Sequence, residues 1–262
     1  MDIVTCLKHV AAVPPEISGS GAGIKDDGLP YEVNEADLYA LEVALEQRAR
    51  HGGLVTAVTV GPSRAREAIH VAYAKGADRG VHIEDETEAC VRPDVAAEAV
   101  AQVVRRMAPD LVLAGVQASD DLAGLFGIAL ADALGMPAVT GVVKVEVGPE
   151  AASLLATCEL SDGYKQEIEA PLPCLLTIQS GIVALRYTPV LALAKARRRE
   201  IESVSLSSLD GGNWRSTRRS FEVVDLFHPE GSGTCEMIQG SPDEAATYLV
   251  ERLQDVGIAP TG

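Results

Sequence analysis

The sequence has few aromatic residues and no apolar run long enough to cross a membrane. Aromatic side chains make up 4% of the 262 residues while 47% are hydrophobic, a profile typical of helices packed on a parallel sheet and unlike a single-stranded nucleic-acid surface. No apolar run approaches the roughly 18 residues that a spanning helix needs, and the start of the chain lacks the regions of a secretory signal. We therefore expect a cytoplasmic protein without stable membrane insertion.

Cysteines and basic residues are also scarce. The five cysteines are odd in number, far apart and never in a C-x-x-C pair, which argues against a disulfide framework and against a zinc site. With 22 basic and 38 acidic residues the net charge is −16, and such a field repels a polyanion. The composition therefore indicates a reducing compartment and no nucleic-acid partner.

Familiar catalytic motifs are absent from the sequence. It contains no G-x-x-x-x-G-K-[ST] loop, no G-x-S-x-G elbow and no H-E-x-x-H, and its five histidines lack metal-ligand spacing. The glycines of 19–23 resemble a dinucleotide fingerprint only superficially, because they miss its spacing, so we interpret this segment as a flexible loop. We expect neither catalytic residues nor a metal site.

Strand-like and helix-like segments alternate along the first half of the chain. Strands are predicted at 2–7, 54–60, 80–83 and 110–114, and helices at about 35–51, 62–76, 93–108 and 121–135. This alternation predicts a doubly wound, mainly parallel α/β sheet. After Gly135, further strands are predicted at 138–147, 153–160, 166–170 and 174–180, as a strand-rich extension of the sheet.

Two regions are expected along the chain, an α/β nucleotide-binding domain over 1–202 and an extended C-terminal arm over 203–262. Residues 203–241 are rich in Ser and Gly and lack sustained periodicity, which is typical of an arm. The capping box at 241–244 then starts a short amphipathic helix. That helix would pack either on the core of this chain or on a partner subunit.

A small-ligand site is predicted at the carboxyl edge of the sheet, where open α/β folds bind nucleotides. Residues 110–127 run from an apolar strand through a polar, glycine-containing turn into a helix, which Asp120 or Asp121 can cap. Residues 6–10 and 60–63 converge on the same edge, and 34–37 could join them. Helix N-termini favour phosphate, so the expected ligand is an adenine nucleotide; an ordinary strand-to-helix loop is the alternative.

Several motifs occur in the order and spacing found in the β subunit of electron transfer flavoprotein, and the chain resembles that family from residue 1 to about 201. They are Cys6-Leu7-Lys8, Asn34 to Glu42, Val60-Gly61-Pro62, Ala74 to Gly80, Gly115-x-Gln117-x-x-Asp120-Asp121, Leu172-Pro173, Arg186-Tyr187 and Lys195 to Arg199. The resemblance implies a sheet of the adenine-nucleotide α-hydrolase-like type and a heterodimer whose α subunit holds the redox-active FAD. It also implies an electron carrier without catalytic residues of its own, which accepts electrons from a flavin-dependent dehydrogenase.

The same resemblance implies AMP in this chain, or a second FAD as in electron-bifurcating members, with the phosphate at the helix start near 121–126. The implied nucleotide-contacting residues are Cys6, Asn34, Glu35, Ala36, Asp37, Val60, Gly61, Gly115, Gln117, Asp120, Asp121, Leu122, Ala123, Gly124, Leu125, Phe126 and Gly127. Leu122 and Leu125 stand where the family has polar side chains beside the phosphate.

The resemblance further implies a loop at about 179–187 that anchors partner dehydrogenases. Its implied docking residues are Ile182, Val183, Arg186 and Tyr187. Ile182 takes the place of the family's anchoring leucine; a core position is the alternative for it.

A stand-alone adenine-nucleotide-binding sensor without flavin is the alternative function, and such a module would fold and homodimerise alone. A nucleotide-dependent ligase or hydrolase would need a Ser-Gly-Gly-rich loop after the first strand, which residues 6–12 lack.

Overall fold

The computed structural model describes residues 1–12, 29–86, 90, 92–148, 152–209 and 237–258. The chain divides into two compact units, one made of 1–18 with 24–222 and the other of 19–23 with 223–262. The first unit is an α/β domain, and the described part of the second is one helix with its flanking residues.

The α/β domain alternates strands and helices along its first half, as the sequence predicts. Its strands are β1 (Ile3–Cys6), β2 (His9–Ala11), β3 (Tyr31–Val33), β4 (Val55–Gly61), β5 (Arg79–Glu84), β6 (Leu111–Gly115), β7 (Ala138–Val147), β8 (Ser153–Glu159), β9 (Lys165–Pro171), β10 (Cys174–Ile178) and β11 (Glu202–Ser205). Its helices are α1 (Glu35–His51), α2 (Arg66–Lys75), α3 (Pro93–Met107), α4 (Phe126–Leu134) and α5 (Val190–Ala196), and a 3₁₀ turn at Ser63–Ala65 precedes α2.

Nine strands of the described ranges form one sheet in the order β11-β5-β4-β1-β6-β10-β7-β8-β9. Neighbours from β11 to β7 pair in parallel, whereas β8 and β9 add an antiparallel hairpin at one edge. The predicted fold class, a doubly wound and mainly parallel α/β sheet, is therefore confirmed.

Helices cover both faces of this sheet. Leu41 of α1 and Ile69 of α2 belong to one apolar cluster, and Val100 of α3 and Leu130 of α4 belong to the other. Because central strands are covered on both faces, they are mostly apolar, and all residues of β6 and β10 are buried.

Two features of the sheet were not foreseen. Strand β10 lies between β6 and β7 in the middle of the sheet, rather than continuing the strand-rich extension in chain order. A separate hairpin joins β2 to β3; each strand has three residues, too few to show a period of two. The predicted loop at 19–23 lies outside the described residues.

The α/β domain continues past residue 202, where the sequence placed its boundary. Strand β11 pairs in parallel with β5, and Leu206 just beyond it is buried in the core. The four residues of β11, Glu-Ser-Val-Ser, are too polar to have indicated a strand. The part of the arm at 210–236 lies outside the described residues.

Helix α6 (Pro242–Asp255) is the described helix of the second unit. Its capping box is confirmed, because the Ser241 hydroxyl accepts from the Glu244 N–H and the Glu244 carboxylate accepts from the Ser241 N–H. Leu249 and Val256 on its apolar stripe are exposed. None of the helices in the described ranges is long and apolar enough to cross a membrane.

Candidate functional site

A cleft lies at the carboxyl ends of β1, β4 and β6, the edge predicted from the sequence. The space between its walls, including the solvent at its open mouth, is about 700 Å³. Helices α3 and α4 form its far wall. The lining residues are Cys6, Leu7, Lys8, Asn34, Asp37, Val58, Thr59, Val60, Cys90, Pro93, Ala96, Val100, Gly115, Val116, Gln117, Ala118, Asp121, Ala123, Gly124, Leu125, Phe126 and Gly127.

Most of the residues predicted to contact a nucleotide line this cleft. Those brought together there are Cys6, Asn34, Asp37, Val60, Gly115, Gln117, Asp121, Ala123, Gly124, Leu125, Phe126 and Gly127. Five are not among the lining residues: Glu35, Ala36, Gly61, Asp120 and Leu122. Glu35 is exposed, Ala36 is buried behind Gly115, and Leu122 is 64% exposed.

Asp37 is the buried carboxylate that ties the three sides of the cleft together. One oxygen accepts a hydrogen bond from the Lys8 N–H after β1, and the other accepts from the Gly115 N–H at the end of β6, both at 2.8 Å. Burial raises the pKa of Asp37 to about 6, although these hydrogen bonds oppose that effect. Asp37 therefore positions the backbone of the cleft, and both of its oxygens already have partners.

Asn34 makes a second tether in the same place. Its side-chain amide donates to the Gln117 carbonyl at 3.0 Å, and its side-chain oxygen accepts from the Ser119 N–H at 3.1 Å. Because both ends of the amide are used, Asn34 fixes the loop that follows β6. The sequence predicted Asn34 and Asp37 as ligand contacts, and the structure shows how they shape the site.

Gly115 is required by close approach at the end of β6. A Cβ atom built on it would lie 2.5 Å from the Asp37 carboxylate and 2.8 Å from the backbone carbon of Ala36. The start of α1 therefore packs directly on the strand end, and no larger residue fits between them.

Lys8 crosses the mouth of the cleft and was not singled out as a site residue by the sequence. Its ammonium group lies 2.7 Å from a carboxylate oxygen of Asp120 and 2.8 Å from one of Asp121. Burial lowers its pKa, but the hydrogen bonds to the two carboxylates outweigh this and raise it above the ordinary value. The motif Cys6-Leu7-Lys8 could have indicated this residue, because it places a cation at the end of the first strand.

The expectation that Asp120 or Asp121 caps the next helix is wrong. Helix α4 begins at Phe126, not at 121, and its N-cap residue Leu125 makes no side-chain capping bond. The carboxylates pair with Lys8 instead, and Asp121 also accepts from the Ala123 N–H at 2.9 Å. The chain uses these residues to stabilise a loop ahead of the helix.

The inner wall of the cleft is apolar and carries two thiols. Val58 and Val60 from β4 line it together with Pro93, Ala96 and Val100 of α3. Burial raises the pKa values of the Cys6 and Cys90 thiols well above their usual range, so neither is a nucleophile at neutral pH. The four cysteines of the described ranges are all free.

Gly127 at the start of α4 should not tolerate a side chain. Its Cβ would lie 2.4 Å from the methyl group of Thr177 on β10. We expect Gly127→Val to shift α4 away from the sheet, to lower the free energy of unfolding by about 1–3 kcal/mol and to reduce the nucleotide content of the purified protein. Denaturation curves and quantitation of released nucleotide check this, with the half-exposed Ile128→Ala as control; unchanged nucleotide content would contradict it.

His82 is a buried histidine behind the β4 edge of the cleft. Its Nε2–H donates to the Gly61 carbonyl at 2.9 Å, while Nδ1 has no partner among the residues that the structure describes. Burial lowers the pKa of His82, so the unfolded chain binds a proton more readily than the folded one below about pH 6.5. Stability from this group is present at pH 7 and is lost as the pH falls.

We therefore expect acid to destabilise the wild type more than His82→Gln, whose amide keeps a donor for Gly61 and does not titrate. One proton gives at most about 1.4 kcal/mol per pH unit. Denaturation curves between pH 7 and 5 measure this difference. The raised pKa of Asp37 affects the pH dependence of stability with the opposite sign, but Asp37 is present in both proteins. If stability falls equally with pH in the wild type and in His82→Gln, His82 does not have this role.

The segment predicted to dock partner dehydrogenases is fixed at its base by Arg186. The Arg186 Nε–H donates to the buried Glu42 carboxylate of α1 at 2.6 Å, and an Nη–H donates to the Lys75 carbonyl at 3.1 Å. Lys75 in turn donates to the Arg186 carbonyl at 2.9 Å. Arg186 therefore holds the segment against α1 and α2, while its side chain stays 41% exposed.

The apolar residues of this segment differ in exposure. Ile182 and Val183 are half-buried and pack against the core, and their role in docking stays a prediction. Tyr187 is 83% exposed, and Val190 and Leu191 on α5 are each 77% exposed. The accessible apolar surface therefore begins at Tyr187, at the end of the predicted loop.

Within the described residues, no group of three or more His, Cys, Asp or Glu side chains is placed to hold a metal ion. The site is thus an apolar cleft with a few convergent polar groups at the carboxyl edge of a doubly wound sheet. This arrangement is typical of α/β proteins that bind a small ligand, such as a nucleotide, at the edge of the sheet.

Comparison with known proteins narrows the class to a family. The family model for the electron transfer flavoprotein domain matches residues 22–209. The electron transfer flavoprotein subunit beta of Methylophilus methylotrophus is 31% identical over 261 residues, covering 97% of this chain and 98% of the relative. The subunit beta of Bacillus subtilis is 29% identical with the same coverage, and Protein FixA of Azorhizobium caulinodans is 32% identical over 81% of this chain and 77% of its own length. The chain belongs to the electron transfer flavoprotein family.

Proposed function

We propose that this chain is the β half of a heterodimeric electron transfer flavoprotein in the cytoplasm. The names of the nearly full-length relatives support this role, and the free cysteines agree with a reducing compartment. The α subunit holds the redox-active FAD, and this chain shapes the surroundings of the flavin and presents a docking surface. A stand-alone nucleotide sensor is not favoured, because the relatives are named as subunits.

We propose that this chain binds an adenine nucleotide in the cleft. The expected ligand is AMP, and a second FAD is the alternative. Apolar side chains of β4 and α3 line the cleft and suit an adenine ring. Lys8 and residues 123–127 also line it and offer an ammonium group and backbone N–H groups to a phosphate. Because Asn34 and Asp37 already bond to the backbone, they hold the walls in place for the ligand.

The docking surface is proposed to consist of Tyr187, Val190 and Leu191, the exposed apolar residues that follow the predicted loop. Arg186 fixes the segment at one end, and Arg199 fixes it at the other by donating to the carbonyls of Ala77 and Asp78. A short apolar helix held at both ends presents a fixed patch, which suits transient binding to a flavin-dependent dehydrogenase.

Analysis of bound nucleotides tests the proposal. The chain is co-expressed with its α subunit, the complex is denatured, and released nucleotides are quantified by chromatography and mass spectrometry. We expect one FAD and one AMP per heterodimer. Two FAD molecules would assign the cleft to a second flavin, and a complex that releases FAD but no second nucleotide would contradict the proposed role of the cleft.

A further inference from the structure

Lys8 is the one basic side chain among the described residues that line the cleft. The other charged lining residues, Asp37 and Asp121, are acids. Any anionic group of a ligand in the cleft therefore has a single side-chain cation to meet, and the position of Lys8 decides where that group lies.

The ammonium group of Lys8 has capacity left for a ligand. It carries three N–H donors, and the contacts within the described residues use two of them, one for Asp120 and one for Asp121. The Lys8 side chain is 34% exposed. Asn34 and Asp37, by contrast, already have partners for the polar atoms they direct into this region.

The stretch 122–126 just before α4 offers no side-chain donor, and Gln117, which also lines the cleft, offers only a neutral amide. The sequence of this stretch is Leu-Ala-Gly-Leu-Phe, which supplies backbone N–H groups and apolar side chains only. A phosphate near this loop would therefore be bound by backbone N–H groups and by Lys8. Lys8 is thus the charge on which recognition of a phosphorylated ligand depends.

We propose that Lys8 binds the phosphate of the nucleotide and that Asp120 and Asp121, its counter-ions, restrict the ligand to one phosphate. The inference rests on the proposed nucleotide-binding role of the cleft. One ammonium between two carboxylates leaves a net negative charge at the mouth. A single phosphate gains the free donor of Lys8, whereas each further phosphate adds negative charge beside the two carboxylates without meeting another cation.

The test uses the assembled heterodimer, freed of bound nucleotide, and measures binding of adenosine, AMP and ADP by calorimetry. For the wild type we expect AMP to bind more tightly than ADP. Lys8→Met should weaken AMP binding by about ten-fold, the usual size of a hydrogen bond to a charged group, and should change adenosine binding less than two-fold. Lys144→Met is the matched control, since Lys144 and its ion-pair partner Glu146 are both exposed side chains of β7, and it should change neither.

Asp120→Asn should make the cleft more favourable for ADP, because it removes negative charge instead of positive charge. It removes one counter-ion and keeps the shape of the side chain, so the preference for AMP over ADP should narrow by several-fold. An unchanged ratio of AMP to ADP affinity would overturn the role given to the carboxylates.

The remaining outcomes separate this inference from the proposed function. If Lys8→Met weakens adenosine and AMP equally, Lys8 only holds the loop in place and the inference fails while the nucleotide site stands. If Lys8→Met does not change AMP binding at all, the inference fails and the proposed nucleotide site still stands. If the wild type binds none of the three ligands, the proposed nucleotide site fails and the inference fails with it.

Discussion

Asp37→Ala should destabilise the protein at the carboxyl edge of the sheet, where the cleft lies. The substitution leaves the backbone N–H groups of Lys8 and Gly115 without an acceptor, and each buried unpaired donor costs about 1–3 kcal/mol. We expect a loss of about 3 kcal/mol in the free energy of unfolding, together with loss of the nucleotide proposed for the cleft. Chemical denaturation and nucleotide quantitation measure the two effects.

Glu35→Ala is the matched control for Asp37→Ala. It removes a carboxylate from the same first turn of α1, but Glu35 is exposed, so the loss should stay within the 0.3–1 kcal/mol typical of an acid at a helix N-terminus. Asp37→Asn should lie between the two, since it keeps one acceptor oxygen. Equal stability of Asp37→Ala and Glu35→Ala would show that Asp37 does not hold the cleft together.

Leu191→Asp should block electron uptake without disturbing the fold. Leu191 is largely exposed, so an aspartate there meets water in the free protein but places an unpaired charge in an apolar contact with a dehydrogenase. We expect reduction of the flavin by the dehydrogenase to slow by about 10–100-fold, as expected for a loss of roughly 1.4–3 kcal/mol at a hot spot. Stopped-flow absorbance measures the rate, and reduction by dithionite should not change.

Ile182→Ala makes the opposite prediction and serves as the comparison. Ile182 packs against the core, so its truncation should lower stability by about 1–2 kcal/mol, less than for a fully buried site, and should leave reduction by the dehydrogenase near the wild-type rate. If Ile182→Ala slows electron uptake at unchanged stability while Leu191→Asp does not, the anchor lies in the loop at 179–187 as the resemblance implied, and our placement of the docking surface is wrong.

Long elements with a clear period could be predicted from the sequence. Helix α1 was expected at 35–51 and occupies Glu35–His51, and α3 was expected at 93–108 and occupies Pro93–Met107. Their apolar residues recur at helical spacing over four turns, so local pattern and tertiary packing agree. Strand β7 likewise occupies the predicted 138–147.

Elements whose stability comes from distant partners could not be predicted. Helix α4 starts at Phe126 rather than 121 because Lys8, far away in the sequence, draws Asp120 and Asp121 away from a capping role. The edge strand β11 is held by pairing with β5 and has no apolar pattern of its own. The strand order also depends on distant partners, since the position of β10 beside β6 is set by the whole sheet.

The position of the candidate cleft could be predicted from the sequence, but the roles of its individual residues could be predicted less well. Parallel strands bring their carboxyl ends to one edge, so convergence of the segments after β1, β4 and β6 follows from the topology alone. Whether a side chain contacts the ligand or supports the backbone depends on its hydrogen-bond partners. Asn34 and Asp37 were predicted as contacts. The structure shows that they also tether the backbone, and their contact with a ligand stays a prediction.

The most direct test of the proposed function is to purify this chain with and without its α subunit, then record sedimentation and the visible spectrum of each preparation. The proposal predicts a yellow one-to-one heterodimer whose flavin is reduced by a dehydrogenase, and no flavin on this chain alone. A colourless homodimer that forms regardless of the α subunit would contradict it and would favour the nucleotide-sensor alternative.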